Sequence, residues 1–397
     1  MKILHLATSM GGGAGRAALR ITAAQNLFGI EATIQSRDAI LKANSSGVTP
    51  VPMNQLKRIE SSAITFFQST LVQKSSDLVT PLSTSNMNVT DEHLRDYDLI
   101  NVHATYNYLN ETSLDKLSKL DKPVVFTLHD QRILTGGCHY SRDCHHYKKD
   151  CSPCPQVKIP WDFLVRRSFR NQNELMKNFK NLGFVTPSNW LADICKDSAI
   201  GHSTPVSVIK NPIPERFFNA PIEKRISKKL RIGFISANLN NPYKGLDVLI
   251  AALELLTCQS HASYSLRLIG KGVAPKISNA HQISQVEANS DEEVISELIN
   301  LDVLVVSSTE DNSPSVIGEA LSLGVRVIGS NVGGIPEILQ KFGMPIFESK
   351  NANALAEHLI NHLHSHKINE IRQLAKEEFG EINIGKQYSE FYKNLIQ

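Results

Sequence analysis

Between residues 302 and 338 the chain reads DVLVVSSTEDNSPSVIGEALSLGVRVIGSNVGGIPEI. Two short apolar runs, 303–306 and 325–328, are separated by a polar loop and a segment of helical length. A run of four apolar residues fits a strand buried on both faces, as in parallel sheets. Parallel neighbours need a crossover connection, usually a helix. The stretch is therefore a strand-helix-strand unit, and it commits the chain to α/β architecture. Its polar residues gather at the carboxyl ends of the strands, as Glu310, Asp311, Asn312, Ser313 and Ser315, and then Gly333 and Gly334. That edge of an open parallel sheet is where ligands bind. The helix opens at Ser313-Pro314, and its first turn, with Val316, offers amide groups and a positive end to an anion. Asp311 and Glu319 stand eight positions apart and flank that helix start. The combination suits a sugar nucleotide, with the diphosphate at the helix end and hydroxyls on the carboxylates.

The same alternation runs through the whole chain. Strands are expected at 3–7, 33–35, 99–103, 124–128, 183–186, 207–209, 231–235 and 265–269, with helices at 14–27, 114–120, 161–179, 188–196, 246–256 and 292–299. Helical stretches are also expected around 56–74, and a basic linker at 224–229. At 397 residues there is room for two full cores. The reading is an acceptor-side domain over 1–208 with a cysteine-rich insert at 136–156, then a nucleotide-sugar domain over 209–380. A last helix, within 381–397, is expected to return to the first domain, which periodicity by itself does not show.

The 41% hydrophobic and 20% charged composition is that of an ordinary soluble globular protein. No apolar stretch reaches the roughly 18 residues needed to cross a bilayer. The opening MKILHLATSM runs directly into glycines and reads as a buried first strand of a cytoplasmic protein. The net charge of +3 is small, and no dense Lys/Arg run with interleaved aromatics is present. Nucleic-acid binding is excluded on those grounds.

Four further clusters carry chemistry. Lys244 lies in Asn241-Pro242-Tyr243-Lys244-Gly245, between a strand and a helix, at the same edge as Asp311 and Glu319. An ammonium there would offset charge building on a departing diphosphate, though a solvated loop lysine is the plainer alternative. Gly11-Gly12-Gly13-Ala14-Gly15-Arg16 joins the first strand to the first helix. Gly12 and Gly13 would let a ligand approach the backbone, and Arg16 would reach a phosphate. Arg16 occupies the third-glycine place of the dinucleotide fingerprint, so a nicotinamide cofactor is not expected. His103 and His129-Asp130 end two strands of the first domain, and such histidines either contact a sugar or are structural core groups.

Cys138, Cys144, Cys151 and Cys154 form a C-x5-C-x6-C-x2-C pattern holding four of the six cysteines. In a reducing compartment this spacing favours a structural zinc over disulfides, with reduced metal-free thiols as the alternative. A catalytic metal is not expected, because four thiolates leave no open position. The 161–179 helix carries Trp161, Phe163, Leu164 and Phe169 beside Arg166, Arg167 and Arg170. It reads as a core-packed helix with a solvated face, with a resting place on anionic lipid as the alternative.

Together these residues resemble the family-4 glycosyltransferases, enzymes of two facing Rossmann-like domains (the GT-B fold), over nearly the whole chain. The family's acid-x7-acid element resembles Asp311-x7-Glu319, followed by Gly333-Gly334-Ile335-Pro336-Glu337. Its lysine-glycine loop resembles Lys244-Gly245, its strand-end histidine His129, and its glycine loop residues 11–15. The stretch from Thr127-Leu128-His129-Asp130 through Cys138 to Cys154-Pro155-Gln156 is similar to a bacterial subgroup that builds capsule, colanic-acid-like and O-antigen polysaccharides. Two positions depart from the family: the first acid, usually Glu, is Asp311 with Glu310 one place early, and the arginine that commonly precedes the lysine is absent.

The resemblance implies a retaining hexosyltransferase. Its donor is a nucleotide-diphosphate sugar and its acceptor a hydroxyl on a sugar or lipid-linked oligosaccharide. Lys244, Asp311 and His129 would be catalytic. Gly12, Gly13, Arg16, Glu310, Asn312, Ser313, Ser315, Val316 and Glu319 would complete the donor set, and His103 and Asp130 the acceptor side. A cytoplasmic location, with the inner face of the cell membrane as an extension of it, goes with such substrates. A non-catalytic partner of a polysaccharide complex and a sugar-nucleotide epimerase are the competing functions.

Overall fold

The computed structural model describes all residues except 39–47, 52, 74–78, 85–90, 105, 223–228, 261–262, 275–282 and 362–367. Most of the expected basic linker, 224–228, lies outside the described residues. Contacts divide the chain into two units, Met1–Pro212 with Glu381–Gln397, and Ile213–Gly380. The division falls a few residues beyond the expected 208/209.

The first unit carries seven strands: β1 (Lys2–Ser9), β2 (Glu31–Asp38), β3 (Val48–Pro50), β4 (Leu99–Val102), β5 (Val124–Thr127), β6 (Leu182–Thr186) and β7 (Val206–Val208). They form one all-parallel sheet in the order β3-β2-β1-β4-β5-β6-β7. Its helices are α1 (Gly12–Leu27), α2 (Gln55–Leu71), α3 (Asp91–Arg95), α4 (Glu111–Ser118), α5 (Asp162–Met176) and α6 (Asn189–Asp197). β4 and β5 are buried along their whole length, as expected where helices cover both faces.

The second unit begins with α7 (Glu215–Asn219) and β8 (Leu230–Asn238), then α8 (Leu246–Ser260), β9 (Tyr264–Lys271) and β10 (Ile283–Val286). It continues with α9 (Asp291–Leu298), β11 (Val303–Val306), α10 (Ser315–Ser322), β12 (Arg326–Ser330), α11 (Ile335–Lys341) and β13 (Ile346–Phe347). The helices α12 (Ala352–Asn361) and α13 (Ile368–Phe379) close it. The sheet is again all parallel, in the order β10-β9-β8-β11-β12-β13. Numbered within each unit, both orders begin 3-2-1-4-5-6, the doubly wound pattern whose direction reverses between strands one and four. Those switch points lie between β1 and β4 and between β8 and β11.

The final helix, α14 (Glu381–Ile396), belongs to the first unit and packs on α1. Ile384, Tyr388 and Tyr392 recur every four residues and are fully buried. Gly385 lets the two helices approach: a Cβ there would stand 2.4 Å from the Ala24 carbonyl oxygen.

Candidate functional site

In the second unit, the loops after β8, β11 and β12 converge at the switch point. Lys244 ends a short 3-10 turn (Pro242–Lys244), and Gly245 follows with φ +67°. A Cβ on Gly245 would lie 1.9 Å from the Ser307 carbonyl oxygen, so only glycine lets this loop cross the end of β11. The Ser307 hydroxyl donates to the Gly245 carbonyl at 2.7 Å, and the Thr309 N–H donates to the Tyr243 carbonyl at 2.7 Å. The third loop is tied in the same way. Gly333 has φ +56°, and its Cβ would fall 1.6 Å from the Asp311 carbonyl oxygen, while the Gly334 N–H donates to the Asn312 carbonyl at 2.8 Å.

This stitching brings Lys244 to Asp311: Nζ donates to Oδ2 at 2.6 Å, and the Ser308 hydroxyl donates to the same oxygen at 3.1 Å. Asp311 and Asn312 are buried, and the Lys244 side chain is one-third exposed. The helix α10 starts one residue later than Pro314, its N-cap, and has no side-chain cap and no acid in its first turn. Its leading amides are therefore not met by a capping side chain of their own helix, which suits an anion. Ser315 and Val316 open the helix, and Glu319, on its second turn, is buried. Lys244, Glu310, Asp311, Asn312, Ser313, Ser315, Val316 and Glu319 all belong to this one sheet edge. Gly12, Gly13 and Arg16 belong to the first unit, at the corresponding edge beside β1.

There, Gly11 caps α1, Gly12 has φ +72°, and the space around Gly12 and Gly13 is open to 4 Å. Gly15 has another use: a Cβ there would lie 2.2 Å from the Ser9 carbonyl oxygen. It seats the helix against the end of β1.

His103 and His129 lie together, and a third histidine that sequence reasoning missed completes the set. His5, in the middle of β1, places Nδ1 2.9 Å from His103 Nε2, and His103 Nδ1 is 2.9 Å from His129 Nε2. At the far end His5 Nε2 lies 2.9 Å from Gln25 Oε1, and Gln25 Nε2 donates to the Tyr392 hydroxyl at 3.0 Å. Asn101 Nδ2 also donates to that hydroxyl at 2.6 Å, and the Thr127 hydroxyl donates to Asn101 Oδ1 at 2.9 Å. Each neutral ring donates from one nitrogen and accepts on the other, so the row carries its protons in a single direction, set by how the Gln25 amide is turned. Burial pulls His5 and His129 down to about 4, opposed by Gln25 in one case and Asp130 in the other. Burial, with the two flanking imidazoles, takes His103 well below the ordinary value. All three rings are neutral at pH 7.

His129 lines a crevice with Asp130, Arg132, Tyr106 and His139. Burial pushes the Asp130 carboxyl up, but His139 and Arg132 together hold it below its usual value. His139 Nδ1 is 2.7 Å from Asp130 Oδ2, and the Arg132 backbone N–H donates to Oδ1 at 2.8 Å. Arg132 also lines a neighbouring cleft of about 300 Å³ with Asn110, Arg167, Ser168, Asn171 and Gln172. Neither Arg132 nor Arg167 was singled out as a site residue, since only the fold puts residues 110, 132 and 167 together.

The cysteine-rich insert is held by backbone bridges, Val79 to Cys138 and Val72 to Val157. Cys138 and Cys151 are buried, Cys144 and Cys154 half-buried, and all four are free thiols. The Gly136 N–H donates to Cys151 Sγ at 3.3 Å. Burial pushes the Cys138 thiol up to about 12, with a smaller push from Cys154 and Cys144. Burial and the other three cysteines also raise Cys151. The four sulfurs are thus electrostatic neighbours. Among the described residues, no group of three or more His, Cys, Asp or Glu side chains is arranged to hold a metal ion. Among those residues, too, no helix is long and apolar enough to cross a membrane.

Comparisons with known proteins bear on the second unit and on the fold. Residues 229–365, inside the second unit, match the family described as "Glycosyl transferases group 1". The chain is 24% identical to WcaC of Escherichia coli strain K12, named as a colanic acid biosynthesis glycosyl transferase, over 70% of each chain. Among solved structures it is similar to Anabaena HepE in complex with UDP and glucose, at 17% identity and TM-score 0.63, covering 99% of this chain and 100% of that one. It is similar too to a sucrose-phosphate synthase from Thermosynechococcus elongatus, at 14% identity and TM-score 0.65, over 99% and 98%. The family match is confined to the second unit, and the likeness to solved structures shows that the chain has the two-Rossmann-domain GT-B fold.

Proposed function

We propose that the chain is a retaining hexosyltransferase that moves a sugar from a nucleotide diphosphate to a hydroxyl of a growing, lipid-linked surface polysaccharide. The observation that carries this reading is the Lys244–Asp311 pair at the switch point of the second sheet, beside the start of α10. The ammonium and the α10 amides would receive the diphosphate. Glu319 would bind the ribose diol, and Asp311 with the backbone of Asn312 and Ser313 would hold the sugar. As the glycosidic bond to phosphate breaks, negative charge grows on the leaving oxygen, and Lys244, held at this edge by Asp311, would meet it. Retention without an enzyme nucleophile assigns the base to that leaving phosphate, which takes the acceptor's proton.

A UDP-glucose complex of HepE supports the donor class, and the WcaC likeness supports the polysaccharide setting. In the first unit, the cleft with Arg132, Arg167 and Asn171 suits an acceptor bearing hydroxyl and anionic groups. For the cysteine insert, outside the chemistry, the reading is a structural zinc clip that would have to draw the four thiols together, because as they stand they are not set as ligands.

Incubating the purified chain with UDP-, GDP- and ADP-sugars and a lipid-linked oligosaccharide, then weighing the products, tests the proposal. An acceptor heavier by one hexose supports it. Conversion of the donor without acceptor would mean an epimerase. Nucleotide-sugar binding with neither transfer nor hydrolysis would mean a non-catalytic partner, the reading that the missing arginine before Lys244 keeps in play.

A further inference from the structure

The helix α2 is turned inside out relative to its sequence pattern. Leu56, Ile59, Ala63, Phe66 and Phe67 are spaced i, i+3, i+7, i+10 and i+11, which places them on one stripe about 100° wide. That stripe faces solvent: Leu56 is 78% and Phe66 73% exposed, while Ser61, Gln68 and Leu71 are the buried residues of the helix. A second exposed apolar group adjoins it. Val157 bridges to Val72, and the Lys158 N–H donates to the Leu71 carbonyl at 2.8 Å. This brings Ile159, Trp161 and Phe163 to the end of α2, with Ile159 90% exposed. The Phe67 and Trp161 rings meet edge to face at 5.6 Å, and Trp161 and Phe163 lie 6.1 Å apart. Two separate segments thus build one aromatic face. Isolated exposed hydrophobics are ordinary, but a contiguous patch marks an interaction surface.

The charges around the patch name the partner. On α5, Arg166, Arg167 and Arg170 share the outward face with Phe163, at i+3, i+4 and i+7, and all three are exposed. Lys57, Arg58 and Lys158 belong to the same two segments. Against these six cations stand Glu60, Asp162 and Asp150, the last paired with Arg166 at 2.8 Å. A second copy docking symmetrically would bring like charges together, because an isologous contact repeats the same surface on both sides. An anionic lipid surface meets the aromatics with acyl chains and the guanidiniums with headgroups, the preference of interfacial aromatic and cationic side chains. We propose that the α2 stripe and the residue 159–170 segment form a docking face for an anionic membrane. The proposal stands apart from the sugar-transfer reading and keeps its meaning if that reading fails.

Flotation of the full chain with vesicles tests it. Phosphatidylcholine vesicles should leave the protein in solution, whereas phosphatidylcholine mixed with phosphatidylglycerol should carry it up, less so as salt rises. Trp161 emission should shift to the blue on binding, and Trp161→Phe should lose that shift. Phe66→Ser and Phe163→Ser should each lower partitioning by about tenfold, the weight of one buried aromatic side chain. Their melting temperature should be unchanged, since both residues are exposed. A paired change of Arg166 and Arg170 to Gln, which leaves the Arg167 of the neighbouring cleft in place, gives an independent arm and should remove most of the salt-sensitive part. Failure to float, equal binding to both vesicle types, or variants that bind like the parent would each overturn the proposal. So would a concentration-dependent dimer in sedimentation that Phe66→Ser abolishes, which would assign the patch to a second copy.

Discussion

His103 Nδ1 stands 2.9 Å from His129 Nε2, so the ring nitrogen farthest from the His129 backbone is committed to a buried neighbour. The row continues through His5 and Gln25 to Tyr392 on the last helix, which couples the strand-end histidine to α14. The sign of its pH dependence follows from the lowered values. Each imidazole binds its proton less readily folded than unfolded, so no stability is lost above the ordinary value of 6.5. As pH falls from 6.5 toward about 4, the unfolded chain takes up protons that the folded chain refuses, and stability drops. One such histidine contributes a loss on the order of 3 kcal/mol. Melting curves between those limits should slope steeply for the parent chain and less so for His5→Gln. Equal slopes would show that the three rings are not the acid-sensitive element.

The Lys244–Asp311 contact makes two separable predictions. Lys244→Ala should cost on the order of 3 kcal/mol of transition-state stabilisation, about a hundredfold or more in kcat, if the ammonium meets the leaving diphosphate. It also leaves Asp311, buried, with Ser308 but without its cation, which costs stability. Pairing Lys244→Met with Asp311→Asn removes that unmatched charge. The double variant should regain melting temperature without regaining turnover. Recovery of both together would reduce the lysine to a structural role.

Glu319 lies on the second turn of α10, buried at the same sheet edge. Glu319→Gln keeps its shape and removes its charge, so the fold should be unaffected. Loss of a hydrogen bond to a charged acceptor is worth roughly 1.5–3 kcal/mol, or tenfold and more in affinity. Calorimetric titration with UDP, GDP and ADP should show that weakening for whichever nucleotide the parent chain binds. An unchanged affinity removes the ribose contact.

The central units of both sheets were legible in the sequence, because their strands are apolar on both faces and their helices amphipathic. β11 falls on the expected 303–306, and α10 opens within two residues of the expected Ser313. The strands that escaped notice, β3, β10 and β13, are edge strands of two to four residues, the first two without a single buried residue and the last only two residues long. An edge strand buries too little to impose an apolar run. His5 was invisible for the opposite reason: one polar residue within an apolar run carries no periodic signal, and its partner is 98 positions away. The α2 stripe shows a further limit. Periodicity finds an apolar face, but only the fold says whether that face turns inward, and here it turns to solvent.

The cysteine insert supplies the last test. Burial opposes ionisation of Cys138 and Cys151, and each neighbouring sulfur adds to that opposition. A divalent cation would reverse it, since thiolates bound to zinc shed their protons on binding. Freshly purified chain, handled without chelator, should contain about one zinc per molecule. Chelation should then lower the melting temperature and release thiols to a colorimetric reagent. The change should be lost in Cys144→Ser with Cys154→Ser, the two half-buried members, while the buried pair stays in the core. Chain free of metal, with full thiol reactivity and an unchanged melting temperature, would leave four reduced cysteines packed for their bulk alone.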